Sequence, residues 1–444
     1  VNSGVKFITE ICKLRAMGKV WDEITRDRYG VTDPKLRLFR YGVQVNSLGL
    51  TEQQPENNVY RILLEMLAVV LSKDARARAV QLPTWNEALG LPRPWDQQWS
   101  LRLQQIVAVE TDLLEYDDIF NGSAVIEAKV AALEAEARAE LERILEMGGA
   151  VAAVESSYMK QALVESHTRR VQAIESGALP VVGVNVFTES APSPLTAGAD
   201  GAILTVDPAA EAEQIARLAA WREARDGDAV ARALADLRVA AQTGGNIMEP
   251  SIAAARAGVT TGEWSAALRQ VFGEYRAPTG VGLAPAASDA ERLRLVRAEV
   301  KRVASRLGRP LKILVGKPGL DGHSNGAEQI AVKARDCGME VVYEGIRLTP
   351  EQIANAALEE GVHVIGLSIL SGSHVPLAGA VMTRLAAMGL GDVPVVVGGI
   401  IPPEDARRLL AAGLKAVFTP KDFDLTAIMG RIVGIIDGAY PQAA

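Results

Sequence analysis

The chain has 444 residues, of which 48% are hydrophobic and 23% charged, a globular composition with enough length for about two to four domains. Its net charge of -7 argues against a nucleic-acid-binding protein, which usually carries a basic face. The sequence shows no apolar run of membrane-spanning length and no secretory signal, so we expect no membrane partner. Only two cysteines, Cys12 and Cys337, are present, which favours a reducing cytoplasm over a disulfide-rich secreted protein.

The first part of the chain alternates predicted helices and strands. Apolar spacing predicts helices over residues 5–25 and 57–73, and strands over 36–45 and 78–82, with a loop over 83–92. This rhythm is typical of a parallel sheet or a barrel. Two strands are too few for a complete eight-stranded barrel.

The middle of the chain is predicted to be mainly helical. Residues 123–176 are rich in Ala, Glu and Arg, and residues 208–275 are Ala-rich with a break at 244–250. A short strand is predicted over 180–187. The Gly- and Pro-rich stretch 276–287 indicates a linker.

From residue 310 onward, five short β-branched runs alternate with five helical patterns. The strands are predicted at 312–315, 340–343, 362–367, 393–397 and 416–418, and the helices at 326–337, 350–360, 374–388, 403–412 and 422–437. This alternation predicts a doubly wound α/β sheet in flavodoxin-like strand order.

The loop between the first strand and first helix of this sheet, residues 317–326, reads KPGLDGHSNG. An open α/β sheet binds ligands beyond the carboxyl ends of its strands, where this loop lies. Asp321 can hold one ring nitrogen of His323 and leave the other for a metal, while Lys317 can keep Asp321 ionised. Gly326 allows a planar ligand to approach the helix start. The alternative is a solvated histidine beside an ordinary surface ion pair.

Two more segments follow neighbouring strands of the same sheet. Ser368 and Leu370 end the third strand, and Gly398 and Gly399 end the fourth. Taken singly, Ser368 could be a helix cap and the glycines a plain turn. Because all three segments follow the carboxyl ends of adjacent strands, we expect them to converge on one rim.

These three segments together resemble the signature of cobalamin-binding domains that hold the cofactor in its base-off form. The resemblance implies that His323 is the lower axial ligand of cobalt, with Asp321 and Lys317 behind it as further catalytic candidates. It also implies cofactor contacts along the rim, namely Gly322, Gly326, Ser368, Leu370, Gly398, Gly399, Phe418 and Thr419.

The resemblance extends upstream. Residues 12–16, 50–58, 85–92 and 181–185 are similar to acyl-CoA mutases of the methylmalonyl-CoA mutase type, in collinear order. By this match, Arg15 and Gln44 would face the substrate, with Gln44 also a catalytic candidate. Residues expected to touch the corrin ring are Ser47, Glu87, Ala88 and Leu91. Without the resemblance, Arg15 would be interpreted as a helix-surface salt bridge and Glu87 as a cap or loop residue.

The family architecture then predicts three regions. Residues 1–122 would be the last part of a TIM (β/α)8 barrel, 123–306 a helical linker region, and 307–444 the flavodoxin-like cobalamin-binding domain. Since most of the barrel strands are missing, we expect the chain to need an amino-terminal barrel portion or a partner chain. The family also implies a homodimer.

Two stretches differ from methylmalonyl-CoA mutases and look like ethylmalonyl-CoA mutases: residues 42–48, which read GVQVNSL, and residues 108–123. The resemblance implies an adenosylcobalamin-dependent isomerase that rearranges an acyl-CoA, ethylmalonyl-CoA to methylsuccinyl-CoA. Three alternatives are a methylmalonyl-CoA mutase, a non-catalytic corrinoid carrier and a nucleotide-binding regulator. The last lacks the GxGxxG phosphate turn.

Overall fold

The computed structural model describes residues 1–196, 203–204, 207–275, 291–370, 372–422 and 424–440. Its contacts divide the chain into two units, one formed by Val1–Leu204 with Pro278–Ala444 and the other by Thr205–Ala277. The domain boundaries expected after residues 122 and 306 stay predictions. Among the described helices, none combines the length and apolar character that a membrane span requires.

The amino-terminal region contains a small parallel sheet with helices on one face. Its strands, in spatial order, are β1 (Asn2–Ser3), β2 (Gly42–Val45) and β3 (Ala79–Gln81). Its helices are α1 (Phe7–Asp27), α2 (Asn57–Val70) and α3 (Pro94–Val109). Val43 and Val45 are buried on the helix-covered face, so the alternating residues Gly42 and Gln44 face the other side. The predicted βα rhythm is confirmed.

The strand predicted over 36–45 is shorter in the structure, where only residues 42–45 pair. Residues 36–41 are held in place by side-chain contacts and not by pairing with another strand. Arg37 donates hydrogen bonds to the carbonyls of Val31 and Thr32, and Phe39 stacks on Tyr41 with ring centroids 4.7 Å apart. These contacts replace a strand ladder.

The next segment is helical, as predicted, and consists of α4 (Ala124–Glu146), α5 (Ala150–Glu155) and α6 (Tyr158–Glu175). Helix α4 packs on α1, where Ile126 and Val130 are buried with Cys12 and Ala16. This apolar contact attaches the helical segment to the small sheet.

The strand predicted over 180–187 is wrong. The chain turns back on itself, and only one isolated bridge joins Val182 to Val186. Gly183 has φ of 84°, which favours glycine, and the Asn185 side chain accepts from the Val181 amide at 2.7 Å. Asn185 also donates to the Leu179 carbonyl at 2.9 Å. The side-chain amide therefore supplies the bonds that a partner strand would have made.

The described residues of the second unit form four helices, α7 (Pro208–Ala224), α8 (Gly227–Gln242), α9 (Met248–Arg256) and α10 (Thr261–Phe272). The helical break predicted over 244–250 begins between α8 and α9, but residues 248–250 already belong to α9. Arg225 and Glu263 form a two-pronged ion pair, with nitrogen–oxygen distances of 2.7 and 2.5 Å. The linker predicted over 276–287 lies outside the described residues.

The carboxyl-terminal region is a five-stranded parallel sheet covered by helices on both faces. The strands are β4 (Lys312–Gly316), β5 (Glu340–Tyr343), β6 (Val364–Ser368), β7 (Val395–Gly398) and β8 (Ala416–Phe418). The helices are α11 (Glu291–Leu307), α12 (Asn325–Asp336), α13 (Pro350–Glu360), α14 (His374–Ala387), α15 (Pro403–Ala411) and α16 (Leu425–Ala439).

The spatial order of these strands is β5-β4-β6-β7-β8, and every pairing is parallel. This confirms the predicted flavodoxin-like order. The apolar strands pack against separate buried clusters on the two faces of the sheet. Burial on both faces explains why these strands are apolar at nearly every position.

One buried carboxyl in the amino-terminal region carries a pH-dependent prediction. Glu65 on α2 is fully buried, and within the described part of the chain neither carboxyl oxygen has a hydrogen-bond partner. Burial, with a contribution from Glu10, raises the pKa of Glu65 from 4.5 to about 8. Folding therefore loses stability as pH rises from about 4.5 to about 8, because the unfolded chain ionises first.

We expect Glu65→Gln to stabilise the protein relative to the parent by about 3–4 kcal/mol more at pH 8.5 than at pH 5, at 1.36 kcal/mol per pKa unit. Urea unfolding followed by tryptophan fluorescence at both pH values measures this difference. The exposed Glu110, changed to Gln, is the matched control and should show no such dependence. An equal effect of Glu65→Gln at both pH values would contradict the assignment.

Candidate functional site

The carboxyl ends of the strands in the five-stranded sheet bring the predicted segments to one rim. Ser368 at the end of β6 pairs in register with Gly398 at the end of β7, and Gly398 pairs with Phe418 at the end of β8. The loop that carries His323 leaves the neighbouring strand β4 at the same edge. The predicted convergence on one rim is confirmed.

A buried lysine and a nearly buried aspartate support the exposed histidine. The fully buried Lys317 donates from Nζ to Asp321 Oδ2 at 2.7 Å and contacts the Ser368 carbonyl at 3.4 Å. Asp321 Oδ1 accepts from the His323 amide at 3.0 Å and lies 2.6 Å from His323 Nδ1. The Leu370 amide completes the arrangement by donating to Asp321 Oδ2 at 3.3 Å. Four donors thus fix one carboxylate.

The charges around Asp321 keep its carboxyl group ionised beside the His323 ring. Burial alone would raise the pKa of Asp321, but the hydrogen bonds from Lys317 and His323 outweigh it and lower that pKa below its usual range. In the neutral ring, an ionised carboxylate against Nδ1 favours the tautomer with the proton on that nitrogen and the lone pair on Nε2. The His323 side chain is 81% exposed, whereas that of Asp321 is 4% exposed. The imidazole of His323 is therefore exposed at the rim, while the carboxylate behind it is buried.

This donor set fits a corrin cobalt better than a free ion. Among the described residues, no group of three His, Cys, Asp or Glu side chains could hold a metal. A single oriented imidazole suits a metal whose other ligands come from a macrocycle, as proximal histidines do for haem iron. The carboxylate behind the ring is the usual support for a metal-binding histidine.

The glycines of the signature differ in what surrounds them. A Cβ built on Gly399 would lie 1.9 Å from the Ile369 carbonyl oxygen, so packing alone requires glycine there. A Cβ on Gly398 would meet nothing nearer than 3.8 Å, and one on Gly326 nothing within 4 Å. For Gly322, the nearest atom would be Arg347 Nη2 at 3.6 Å. The space beside Gly398 and Gly326 is compatible with their predicted contacts with the cofactor.

The remaining rim residues have partners of their own. Phe418 is buried, and the guanidinium of Arg431 lies 4.7 Å from its ring centroid. The Thr419 amide donates to Asp422 at 2.9 Å. Their cofactor roles, like those of Ser368 and Leu370, stay predictions.

The predicted corrin-contacting loop of the amino-terminal region also reaches this rim. A Cβ on Gly372, just before α14, would lie 3.2 Å from Leu91 Cδ1. Glu87 and Ala88 belong to the same loop and are half-buried, and Ser47, also half-buried, begins a short 3-10 turn after β2. The structure therefore brings Leu91 to the rim, while the corrin contacts themselves stay predictions.

Arg15, predicted to face the substrate, is buried among side chains in the structure, and its substrate role stays a prediction. Its guanidinium is buried, pairs with Asp118 and donates to Asn121 at 3.0 Å. Asp118 in turn accepts from the Asp74 amide at 3.1 Å, in the connection from α2 to β3. That connection lies at the amino ends of the strands, whereas barrel active sites lie at the carboxyl ends. The partners of Arg15 are distant in sequence and could not be predicted from it.

Gln44 lies near the carboxyl end of β2 and is exposed on the face opposite the helices. Sequence reasoning missed its neighbours. Asn2 on β1 and Gln81 on β3 are its register partners and are also exposed. Three amide side chains thus share one level of the sheet, an arrangement that only the strand register reveals.

Comparison with known proteins agrees with this geometry. The family model described as Methylmalonyl-CoA mutase matches residues 1–274, and that described as B12 binding domain matches residues 311–422. A solved cobalamin-binding protein from Desulfitobacterium hafniense DCB-2 aligns at 18% identity, over 51% of this chain and 98% of that one, with a TM-score of 0.25, too low to support a conclusion.

Three curated relatives distinguish two branches. The chain is 64% identical to the ethylmalonyl-CoA mutase of Cereibacter sphaeroides and 63% identical to that of Methylorubrum extorquens, over 98% and 100% of its length. It is 34% identical to the methylmalonyl-CoA mutase of Cereibacter sphaeroides over 94% of its length. The chain spans 66%, 64% and 58% of these relatives. It belongs to the methylmalonyl-CoA mutase family and carries a B12 binding domain.

Proposed function

We propose that this chain forms the cofactor sheet and part of the barrel of an adenosylcobalamin-dependent mutase that converts ethylmalonyl-CoA to methylsuccinyl-CoA. The main support is the difference in sequence identity. The chain is 64% identical to an ethylmalonyl-CoA mutase but 34% identical to a methylmalonyl-CoA mutase of the same organism. Because the chain spans about two thirds of the ethylmalonyl-CoA mutases, the activity is proposed for the whole protein.

In this function His323 would hold the cobalt of the cofactor through Nε2. Asp321 would orient the ring, and Lys317 would keep Asp321 ionised. Adenosylcobalamin, when bound, supplies a radical by homolysis of its cobalt–carbon bond. Ser368 and Gly398, at the ends of two adjacent strands, would receive the nucleotide tail.

The substrate would lie over the exposed face of the small sheet. Gln44, with Asn2 and Gln81 beside it, would donate amide hydrogen bonds to the carbonyl and carboxylate oxygens of the acyl group. Such contacts orient an acyl-CoA without adding a charged or acidic group beside the reacting carbons. The closed barrel would exclude water from the radical.

The test is a coupled assay of the intact protein with adenosylcobalamin and each acyl-CoA. We expect kcat/KM for ethylmalonyl-CoA to exceed that for methylmalonyl-CoA by at least about tenfold, the usual value of one methylene in a fitted pocket. Faster turnover of methylmalonyl-CoA would refute the substrate assignment. Tight cobalamin binding with no turnover of either substrate would favour a corrinoid carrier.

We further propose that the protein works as a homodimer in the cytoplasm. Cys12 and Cys337 are buried and free, as expected for a reducing compartment. Light scattering coupled to gel filtration measures the oligomeric state, and a monomeric mass would contradict the dimer.

A further inference from the structure

Helix α6 reaches the loop of the candidate cobalt ligand from outside the sheet. Lys160 lies near the start of α6. Its Nζ lies 2.5 Å from Glu328 Oε1 and donates to Ser324 Oγ at 3.0 Å. Ser324 directly follows His323, and Glu328 lies in the first turn of α12. One cation therefore holds the chain on the carboxyl-terminal side of His323, while Asp321 holds it on the other side.

The helix that carries Lys160 is itself fixed to the sheet. Val164 is buried in the same apolar cluster as Ala327 and Ala331 of α12. At the other end of α6, Glu175 Oε1 accepts from the Leu425 amide at 3.1 Å. Lys160 thus projects from a rigid support, which is what a positioning side chain needs.

The first turn of α12 depends on this cation. Ser324 precedes the helix, but its hydroxyl makes no capping bond and instead accepts from Lys160. The Glu328 side chain is 4% exposed, and its other contact is the Tyr343 hydroxyl at 3.5 Å. Without Lys160, a buried carboxylate would lack its counter-ion, and the turn would have to move to hydrate it. That movement would displace His323.

We infer that Lys160 is a positioning residue that holds the loop 321–326 in the conformation that offers His323 to cobalt. The inference rests on the proposed cofactor role of this rim. Supporting partners of a metal ligand typically change metal affinity by about 10–100-fold when they are removed. We therefore expect Lys160→Met to raise the Kd for adenosylcobalamin by at least about tenfold.

The experiment titrates the intact protein with adenosylcobalamin to obtain Kd. It separately records the electron paramagnetic resonance of cob(II)alamin bound to protein labelled with ¹⁵N-histidine, which distinguishes a histidine nitrogen on cobalt from the cofactor's own base. Lys160→Met should weaken binding and lower the fraction of cobalt ligated by histidine, and Lys160→Arg should retain both. Lys160→Glu should be impaired, and adding Glu328→Lys should restore binding to within about threefold of the parent, since the ion pair is re-formed in reverse.

Lys333→Met is the matched control, because Lys333 joins the same two helices through Glu175, at 4.0 Å and at the opposite end of α12. It should leave the spectrum unchanged. Parent-like affinity in Lys160→Met, or equal impairment in Lys333→Met, would overturn the inference while the proposed function stands. A parent protein that binds no cobalamin would overturn the proposed function and this inference with it.

Discussion

Replacing His323 with alanine is expected to lower the affinity for adenosylcobalamin by at least about 100-fold, because it removes the exposed imidazole that the rim presents. The exposed side chain contributes little packing, so the apo-protein should melt within about 1 °C of the parent. A titration followed by the visible spectrum of the corrin measures the loss.

The variant should lose the ligand without losing the residues that support it, and added imidazole gives a second test. Asp321, with the Lys317 ammonium still in place, would remain paired in the variant, so the support is intact while the ligand is missing. Added imidazole should partly restore binding in His323→Gly by occupying the vacated position. Unchanged cobalamin affinity in His323→Ala, with no response to imidazole, would refute the ligand role.

Gly399→Ala is expected to destabilise the carboxyl-terminal sheet by about 3 kcal/mol or more. The new methyl group would lie 1.9 Å from the Ile369 carbonyl oxygen, and backbone on both sides would have to separate. Ile369 directly follows β6, and its amide donates to the Gly398 carbonyl at 2.9 Å, so the strain would fall on the β6–β7 ladder. Loss of cobalamin binding would follow from this distortion.

Gly398→Ala is the matched control, because its methyl group would meet nothing nearer than 3.8 Å. We expect its stability to change by less than about 1 kcal/mol. If Gly398 admits the nucleotide tail, this variant should weaken cobalamin binding without unfolding the sheet. The neighbouring substitutions thus separate a packing requirement from a cofactor contact.

Hydrogen exchange of peptides from β6 and β7 is the appropriate measurement for both glycine variants. Tryptophan fluorescence would not report on this sheet, since all six tryptophans lie before residue 265. Parent-like protection of β6 and β7 in Gly399→Ala would contradict the expected clash.

The carboxyl-terminal sheet could be predicted from sequence because its signals are local. Each strand is a short apolar run, and signals such as Thr349 before Pro350 start the following helix with a capping box. The strand predicted over 180–187 is wrong because its valines favour a strand in the sequence pattern. There, Gly183 and the Asn185 side chain close a turn instead.

In the candidate site, too, some contacts could be predicted from the sequence and others could not. Lys317, Asp321 and His323 lie within one loop, so their contacts could be inferred from spacing. Lys160 lies more than 160 residues from Ser324 and Glu328 in sequence, and Arg15 more than 100 from Asp118. Such partners emerge only from the packing of helices, which composition and periodicity do not specify.

The most direct test of the account is the electron paramagnetic resonance spectrum of cob(II)alamin bound to protein labelled with ¹⁵N-histidine. Coordination by His323 predicts that each cobalt line is split into a doublet by ¹⁵N, in place of the triplet seen with unlabelled protein. A triplet that persists after labelling would show the cofactor's own base on cobalt and would contradict the assignment of His323.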